Sequence, residues 1–132
     1  MSKIYPKYKE ARLGDGLGLN SDPVKVLLVG QGYVPNFSTD EFVEDIQSGA
    51  RVSTSPALTN KTYINGVFAA DATIVSAVPA GQDVVALVIF LDTGDAATSR
   101  LVYYADSGTG LPYTPNGSDF TITWNASGIF QG

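Results

Sequence analysis

The chain of 132 residues contains no histidine and no cysteine. Histidine is the usual general base near neutral pH, and the two residue types together supply most protein ligands for zinc and copper. Their absence excludes a Ser-His-Asp triad, a thiolate nucleophile, a disulfide scaffold and an ordinary zinc or iron–sulfur site. We therefore expect no catalytic residue, no metal and no cofactor, and we predict that the protein is not an enzyme.

Charged residues are scarce as well, because they make up 16% of the chain against roughly 25% of an average domain. The net charge of −5 argues against a nucleic-acid partner, since nucleic acid binds clustered basic residues. No apolar run is long enough to cross a membrane, and the N-terminus lacks the apolar core of a signal peptide. We expect a soluble protein, made in a cytoplasm, that binds neither nucleic acid nor a membrane.

Half of the cations lie close to the N-terminus. Residues 1–12 hold four cations against Glu10 alone, a charge of +3, which leaves −8 for the remainder of a chain that totals −5. Tyr5 and Tyr8 alternate with these cations, and a glycine-rich stretch follows them. This pattern is typical of a terminal arm that lies on an oppositely charged partner.

We predict an extended basic arm with a glycine-rich hinge over residues 1–19, followed by a β-sandwich domain over residues 20–132. The arm is expected to contact the partner, and deleting residues 1–12 is expected to leave the domain folded. The predicted partner-binding residues are the cations and tyrosines of the arm: Lys3, Tyr5, Lys7, Tyr8, Lys9 and Arg12.

The rest of the chain consists mainly of strand-length segments between turn residues. Val84–Leu91 is apolar almost throughout, as in a strand buried on both faces. Asn65-Gly66 is a strong hairpin signal, because a type I′ turn needs positive φ at both central positions. The other predicted strands are Val24–Val29, Arg51–Ser53, Lys61–Ile64, Val67–Ala69, Thr73–Val78, Leu101–Ala105 and Phe120–Trp124.

One helix is predicted, over two to three turns that start near Ser38 and stop at Ser48-Gly49. Ser38 and Glu41 have the spacing of a capping box, and Phe42 and Ile46 form an apolar pair four residues apart. Short strands at regular spacing indicate an antiparallel β-sandwich or jelly roll. The predicted fold class is therefore all-β, with one short helix and the extended N-terminal arm.

The segment Asp92-Thr93-Gly94 follows two apolar residues, as the active-site triplet of aspartic proteases does, and Asp106-Ser107-Gly108 comes later. A catalytic dyad needs two carboxylates about 3 Å apart, but a return strand separates these two by roughly 15 Å. A calcium site made of Asp92, Asp95 and Asp106 is a second alternative. Turn capping is the commoner role of aspartate in such loops, so turn chemistry is favoured for both triplets.

Four aromatic residues raise the alternative of a sugar-binding face: Tyr103, Tyr104, Tyr113 and Trp124. Tyr103 and Tyr104 are consecutive in a predicted strand, so their side chains point to opposite faces of the sheet. Only one of them can then belong to an exposed surface. Packing in the core or between subunits is therefore favoured over glycan binding.

Segments with a recognisable order run along nearly the whole chain: Tyr8–Glu10, Ser21–Leu28, Gly32–Asn36, Thr39–Phe42, Gly49–Val52, Leu58–Thr62, Ala86–Ile89, Asp92–Ser99, Gly110–Gly117, Thr123-Trp124 and Gly128–Phe130. In these segments the sequence resembles a family of small structural proteins of tailed bacteriophages. The matching segments consist of turn and core residues, so the resemblance implies a fold and a viral origin and points to no active site.

The resemblance implies a component of the virion, and small β-sandwich proteins of this kind commonly serve as capsid decoration, or cement, proteins that bridge capsomers. The implied partners are the major capsid protein and other copies of the chain, with a homotrimer as the expected oligomer. One alternative is a component of the tail or of the head–tail connector. An alternative of another class is a carbohydrate-binding module that aids adsorption to the host.

Overall fold

The computed structural model describes residues 2–15, 23–62, 67–105, 111, 113–124 and 129–131. Over these residues the protein is mostly β, with antiparallel sheets and one short α-helix, which confirms the predicted antiparallel β class. The elements in chain order are β1 (Ser2–Ile4), α1 (Pro6–Asp15), β2 (Val24–Gly30), β3 (Arg51–Thr54), β4 (Val67–Phe68), β5 (Thr73–Val75), β6 (Val84–Leu91), β7 (Arg100–Ala105), β8 (Phe120–Ile122) and β9 (Phe130–Gln131).

The largest sheet has five antiparallel strands in the order β1-β7-β6-β2-β3. Its centre is β6, which pairs with β2 from Val24↔Leu91 to Gly30↔Val84 and with β7 on its other side. Seven of the eight residues of β6 are buried. The continuous apolar run in the sequence therefore corresponds to a strand covered on both faces, as expected for the middle of a sheet.

The described residues also form two smaller sheets, each with two antiparallel strands: β4 pairs with β9, and β5 pairs with β8. Their inward side chains Phe68, Val75 and Ile122 belong to the same apolar core as the strands of the five-stranded sheet. The predicted hairpin is consistent with the backbone bonds exchanged between Thr62 and Ala69. Its turn, Asn65-Gly66, lies outside the described residues.

The predicted helix near residues 38–48 is wrong, because two short 3₁₀ turns, Val43–Asp45 and Ser48–Ala50, occupy this region. Backbone groups that a helix would use internally are bonded to other parts of the chain. The amide of Val43 donates to the carbonyl of Ser99, and the carbonyl of Glu41 accepts from the amide of Leu101. Tertiary hydrogen bonds to the 96–101 region thus override the local helical pattern.

The predicted extended N-terminal arm is also wrong, because residues 2–15 form β1 and α1. β1 is the edge strand beside β7, with the register Ser2↔Ala105 and Ile4↔Tyr103, and α1 packs against the same strand. Pro6 is the first residue of α1, where its missing N–H costs nothing and its fixed φ suits a helix. The predicted domain boundary, between residues 19 and 20, falls outside the described residues.

Candidate functional site

The predicted partner-binding residues all lie in what we call the N-terminal segment, residues 2–15. Tyr5 and Tyr8 have exposed fractions of 0% and 1%, so these two side chains are in the core and do not form an outer surface. Lys9 is exposed. The ammonium group of Lys7 lies 3.6 Å from a carboxylate oxygen of Glu10 one helical turn away.

For the other two predicted residues, Lys3 and Arg12, the structure gives the element in which the backbone lies. Lys3 lies in β1 opposite Tyr104, and Arg12 lies in α1. The segment thus combines two buried tyrosines with charges carried on a strand and a helix. The spacing of the buried residues Tyr5, Tyr8 and Ala11 follows one helical face, and this spacing is the signal that the interpretation as an extended arm missed.

A buried chain of hydrogen bonds anchors Tyr5. The hydroxyl of Tyr33 donates to Oδ2 of Asp40 at 2.7 Å, and the hydroxyl oxygens of Tyr5 and Tyr33 are 2.6 Å apart. Because the single hydroxyl proton of Tyr33 goes to Asp40, Tyr5 is the donor to Tyr33. Burial raises the pKa of both tyrosines well above their usual value of 10.0, so the hydroxyl groups of Tyr5 and Tyr33 stay protonated at neutral pH.

The same carboxylate organises the loop that follows β2. Oδ2 of Asp40 also accepts a hydrogen bond from the amide of Asn36 at 2.9 Å, and the carbonyl of Asn36 accepts from the amide of Asp40 at 2.8 Å. The side chain of Gln47 donates to the carbonyl of Gly32 at 2.6 Å. Val34, within this loop, is 83% exposed. The loop is thus fixed from inside while it presents an apolar side chain outside.

Aromatic contacts join this loop to the N-terminal segment and to β7. The ring of Phe37 lies with its centroid 5.3 Å from that of Tyr5 and 5.9 Å from that of Tyr104. Tyr33 and Tyr104 meet edge to face at 6.2 Å. Nothing in the local sequence reveals this cluster, because Tyr5, Tyr33 and Tyr104 are far apart in the chain and meet only after the sheet has formed.

The Asp92-Thr93-Gly94 triplet forms a turn, which is the role favoured from the sequence. Oδ1 of Asp92 accepts from the amide of Gly94 at 2.9 Å, and Oδ2 lies 2.6 Å from the ammonium group of Lys25. The amide of Thr93 donates to the hydroxyl of Ser99 at 3.0 Å. The contact with Lys25 and the bond from the Gly94 amide lower the pKa of Asp92, so this carboxylate is an ionised structural group.

A cleft of about 500 Å³ lies beside this turn, on one face of the five-stranded sheet. Its lining includes the apolar side chains of Leu27, Val43 and Phe90 and the charged side chains of Arg51 and Asp92. The two charged groups have partners within the protein, since Asp92 contacts Lys25 and the side chain of Arg51 donates to the carbonyl of Ile46 at 2.8 Å. These contacts engage the side chains of Arg51 and Asp92 within the protein itself.

The four aromatics considered for sugar binding have separate environments. Tyr104 is buried and Tyr103 is half-buried, which agrees with their opposite directions on β7. Tyr113 stacks on Phe120 with ring centroids 4.3 Å apart, and the indole nitrogen of Trp124 donates to the carbonyl of Asp71 at 3.2 Å. Packing within the chain thus engages Tyr104, Tyr113 and Trp124.

Neither a metal site nor a membrane span is found within the part of the chain that the structure describes. No three acidic side chains there converge on a common point. Asp106, the third residue of the calcium alternative, lies outside the described residues. Among the described helices, none has the length and apolar character needed to cross a bilayer.

Comparison with known proteins gives no family for the chain. No protein-family model matches the sequence, and no curated protein matches it significantly.

Proposed function

We propose that this protein is a non-enzymatic structural component of a tailed-phage virion, and that it is a capsid decoration protein that bridges capsomers. The resemblance described above supports a virion origin, because it extends over nearly the whole chain. The described side chains support a structural role, since the triplet that resembles a protease site is engaged in a turn and an ion pair.

The observation that carries the proposal is the anchored basic segment. Tyr5 and Tyr8 fix the N-terminal segment in the core while Lys9 is exposed. A cation on a folded helix loses less conformational freedom on binding than one on an extended arm, so it contributes more to affinity. The N-terminal segment is thus suited to dock on an acidic surface of the major capsid protein.

The finer architecture belongs to the same proposal. We take the two small sheets, β4–β9 and β5–β8, as the second layer of a β-sandwich whose first layer is the five-stranded sheet. Support comes from Phe68, Val75 and Ile122, which are buried in one core with the large sheet. A rigid two-layer body with the basic segment along one edge could sit between neighbouring capsomers, as a trimer, and contact both the shell and its own copies.

The test is the copy number of the chain in purified virions after heads and tails have been separated. Hundreds of copies in the head fraction are expected of a decoration protein, because it repeats over the lattice. A few dozen copies or fewer in the tail fraction would replace decoration with the alternative of a tail or connector component. Finding none in either fraction would overturn the structural proposal.

A second test addresses the basic segment. Lys9→Gln should weaken binding of the chain to capsids that lack it, and added salt should reduce the difference from wild type, because exposed charges are screened. Thr121→Glu is the matched control, since it lowers the net charge by the same amount at an exposed position in β8. Equal weakening by both substitutions would show that total charge matters and that the N-terminal segment does not.

A further inference from the structure

The N-terminal segment contacts the rest of the protein through an edge strand, a helix and buried side chains, among which Tyr5 directly follows the strand. β1 adds to the outer side of β7 through backbone pairing, and the amide of Tyr5 continues this pairing with a bond of 2.9 Å to the carbonyl of Val102. Tyr5 then inserts its whole side chain, which is 0% exposed, and reaches Tyr33. Backbone pairing plus a buried aromatic anchor is the arrangement that proteins use to bind an added strand.

The contacts described for β1 and Tyr5 are supplied by residues from 33 onward. The backbone edge comes from β7, the hydrogen-bond acceptor is the hydroxyl of Tyr33, and the ring contact comes from Phe37. The carboxylate of Asp40 fixes Tyr33 whether or not Tyr5 is present, because it accepts directly from that hydroxyl. The receiving surface is therefore defined independently of which chain provides the segment.

The connection between α1 and β2 is long enough to span a large distance. Eight residues, 16–23, join α1 to β2 and include Gly16 and Gly18. Glycine has access to backbone conformations that other residues avoid, and eight residues can span about 28 Å when extended. A connection of this length and composition is long enough to join the segment either to its own β7 or to the β7 of an adjacent copy.

We propose that the N-terminal segment exchanges between copies of this chain, so that β1 and Tyr5 of one copy complete the sheet of a second copy. The exchanged assembly makes the same contacts as the closed chain, so no new interface is required and protein concentration decides between them. On a capsid the copies would be held close together, and the high local concentration favours exchange. The inference rests on the proposed function in one respect, which is that copies of the chain associate with each other. Its test uses the isolated chain, so the result does not depend on the virion.

The absence of cysteine from the sequence makes disulfide cross-linking a clean test. Ser2 and Ala105 lie directly opposite each other in the β1–β7 register, and cross-strand neighbours have a Cα separation that a disulfide can bridge. One sample carries Ser2→Cys and a second, mass-tagged sample carries Ala105→Cys. The two are unfolded together, refolded at a high or a low protein concentration, and mildly oxidised.

Exchange predicts a disulfide-linked pair of unlike chains at high concentration, severalfold above the control, with much less at low concentration. The control mixes Ser2→Cys with Thr121→Cys, an exposed position on β8, which pairs with β5. The double variant Ser2→Cys/Ala105→Cys should form an internal disulfide at low concentration, which checks the geometry. If that internal disulfide forms but the unlike pair never exceeds the control, exchange is wrong, whatever the copy number in virions.

Discussion

Single buried polar side chains decide several local structures in this protein. Ser55 is 3% exposed, and its hydroxyl accepts from the amide of Val26 at 2.8 Å while it donates to the carbonyl of Pro56. Among the described residues, no buried side-chain nitrogen or oxygen lacks a hydrogen-bond partner. Such complete pairing matters because an unpaired buried group costs about 1–3 kcal/mol.

Ser55→Ala is expected to lower the free energy of unfolding by about 1–3 kcal/mol, because it leaves the buried amide of Val26 without its acceptor. Urea denaturation followed by tryptophan fluorescence measures the change. Ser76→Ala is the matched control, since it removes the same atoms at an exposed position and should change stability by less than about 0.5 kcal/mol. Equal effects of the two substitutions would show that the hydrogen bond to Val26 contributes little.

The Lys25–Asp92 pair predicts a loss of stability in acid. Hydrogen bonding to Lys25, followed by that from the Gly94 amide, lowers the pKa of Asp92 in the folded protein below its usual 3.8. A carboxylate with a lowered folded pKa stabilises the protein above its unfolded pKa, and this contribution disappears as the pH falls through the folded pKa. The relevant window therefore lies below about pH 4.

Asp92→Asn should accordingly make stability less dependent on pH below about pH 4 while it lowers stability at pH 7. Urea midpoints measured between pH 7 and pH 2.5 test this expectation. Lys25→Gln removes the other member of the pair and should reduce the same acid-dependent loss. An unchanged acid slope in both variants would show that other carboxylates cause the loss.

At the scale of elements, the sequence predicted strands better than it predicted helices. The predicted strands Val24–Val29 and Val84–Leu91 agree with β2 and β6 within one residue, because an apolar run between turn residues suits a buried strand wherever it pairs. The helix near Ser38 failed because its backbone bonds to Ser99 and Leu101 are tertiary. A local pattern contains no information about such distant partners.

In the N-terminal segment a helix is missed although its signals are present in the sequence. Pro6 suits the first position of a helix, and Tyr5, Tyr8 and Ala11 have the three-residue spacing of an apolar helical face. The network from Tyr5 through Tyr33 to Asp40 could not be predicted, because 28 residues separate the two tyrosines. No sequence pattern specifies which hydroxyl a buried tyrosine meets.

The burial of Tyr5 and Tyr8 argues against the expectation that the domain stays folded after residues 1–12 are deleted. Tyr5→Ala is expected to lower the free energy of unfolding by about 3–5 kcal/mol, the usual loss for truncating a buried aromatic side chain. Tyr5→Phe keeps the ring and removes only the bond to Tyr33, so a loss of about 1 kcal/mol is expected. Thermal unfolding of both variants measures the difference. Equally small losses would show that the segment is held by its backbone alone.

At the scale of the whole molecule, burial of tyrosines predicts sensitivity to alkali. Burial raises the pKa of Tyr5, Tyr33 and Tyr104 above 10.0 in the folded protein. Because the unfolded chain ionises these groups near pH 10, stability is complete below that pH and decreases as the pH rises above it. The protein should therefore unfold cooperatively in alkali.

Tyrosinate absorbance during an alkaline titration tests the expected cooperative unfolding. The chain has seven tyrosines, and Tyr5, Tyr33 and Tyr104 should ionise only together with unfolding, measured in parallel by circular dichroism. A variant with Tyr33→Phe should lose one equivalent from this late transition. Ionisation of all tyrosines near pH 10, before any change in circular dichroism, would contradict the buried network.

The position of β1 also has a consequence for the timing of folding. β1 begins at Ser2, and its neighbour β7 ends at Ala105, so β1 pairs with a strand that is synthesised roughly 100 residues later. At about 5–20 residues per second of synthesis, β1 waits about 5–20 s for its partner. During this interval the N-terminal segment lacks the strand that it pairs with, so a nascent chain stalled before β7 should expose Tyr5 and bind chaperones that recognise exposed aromatic residues.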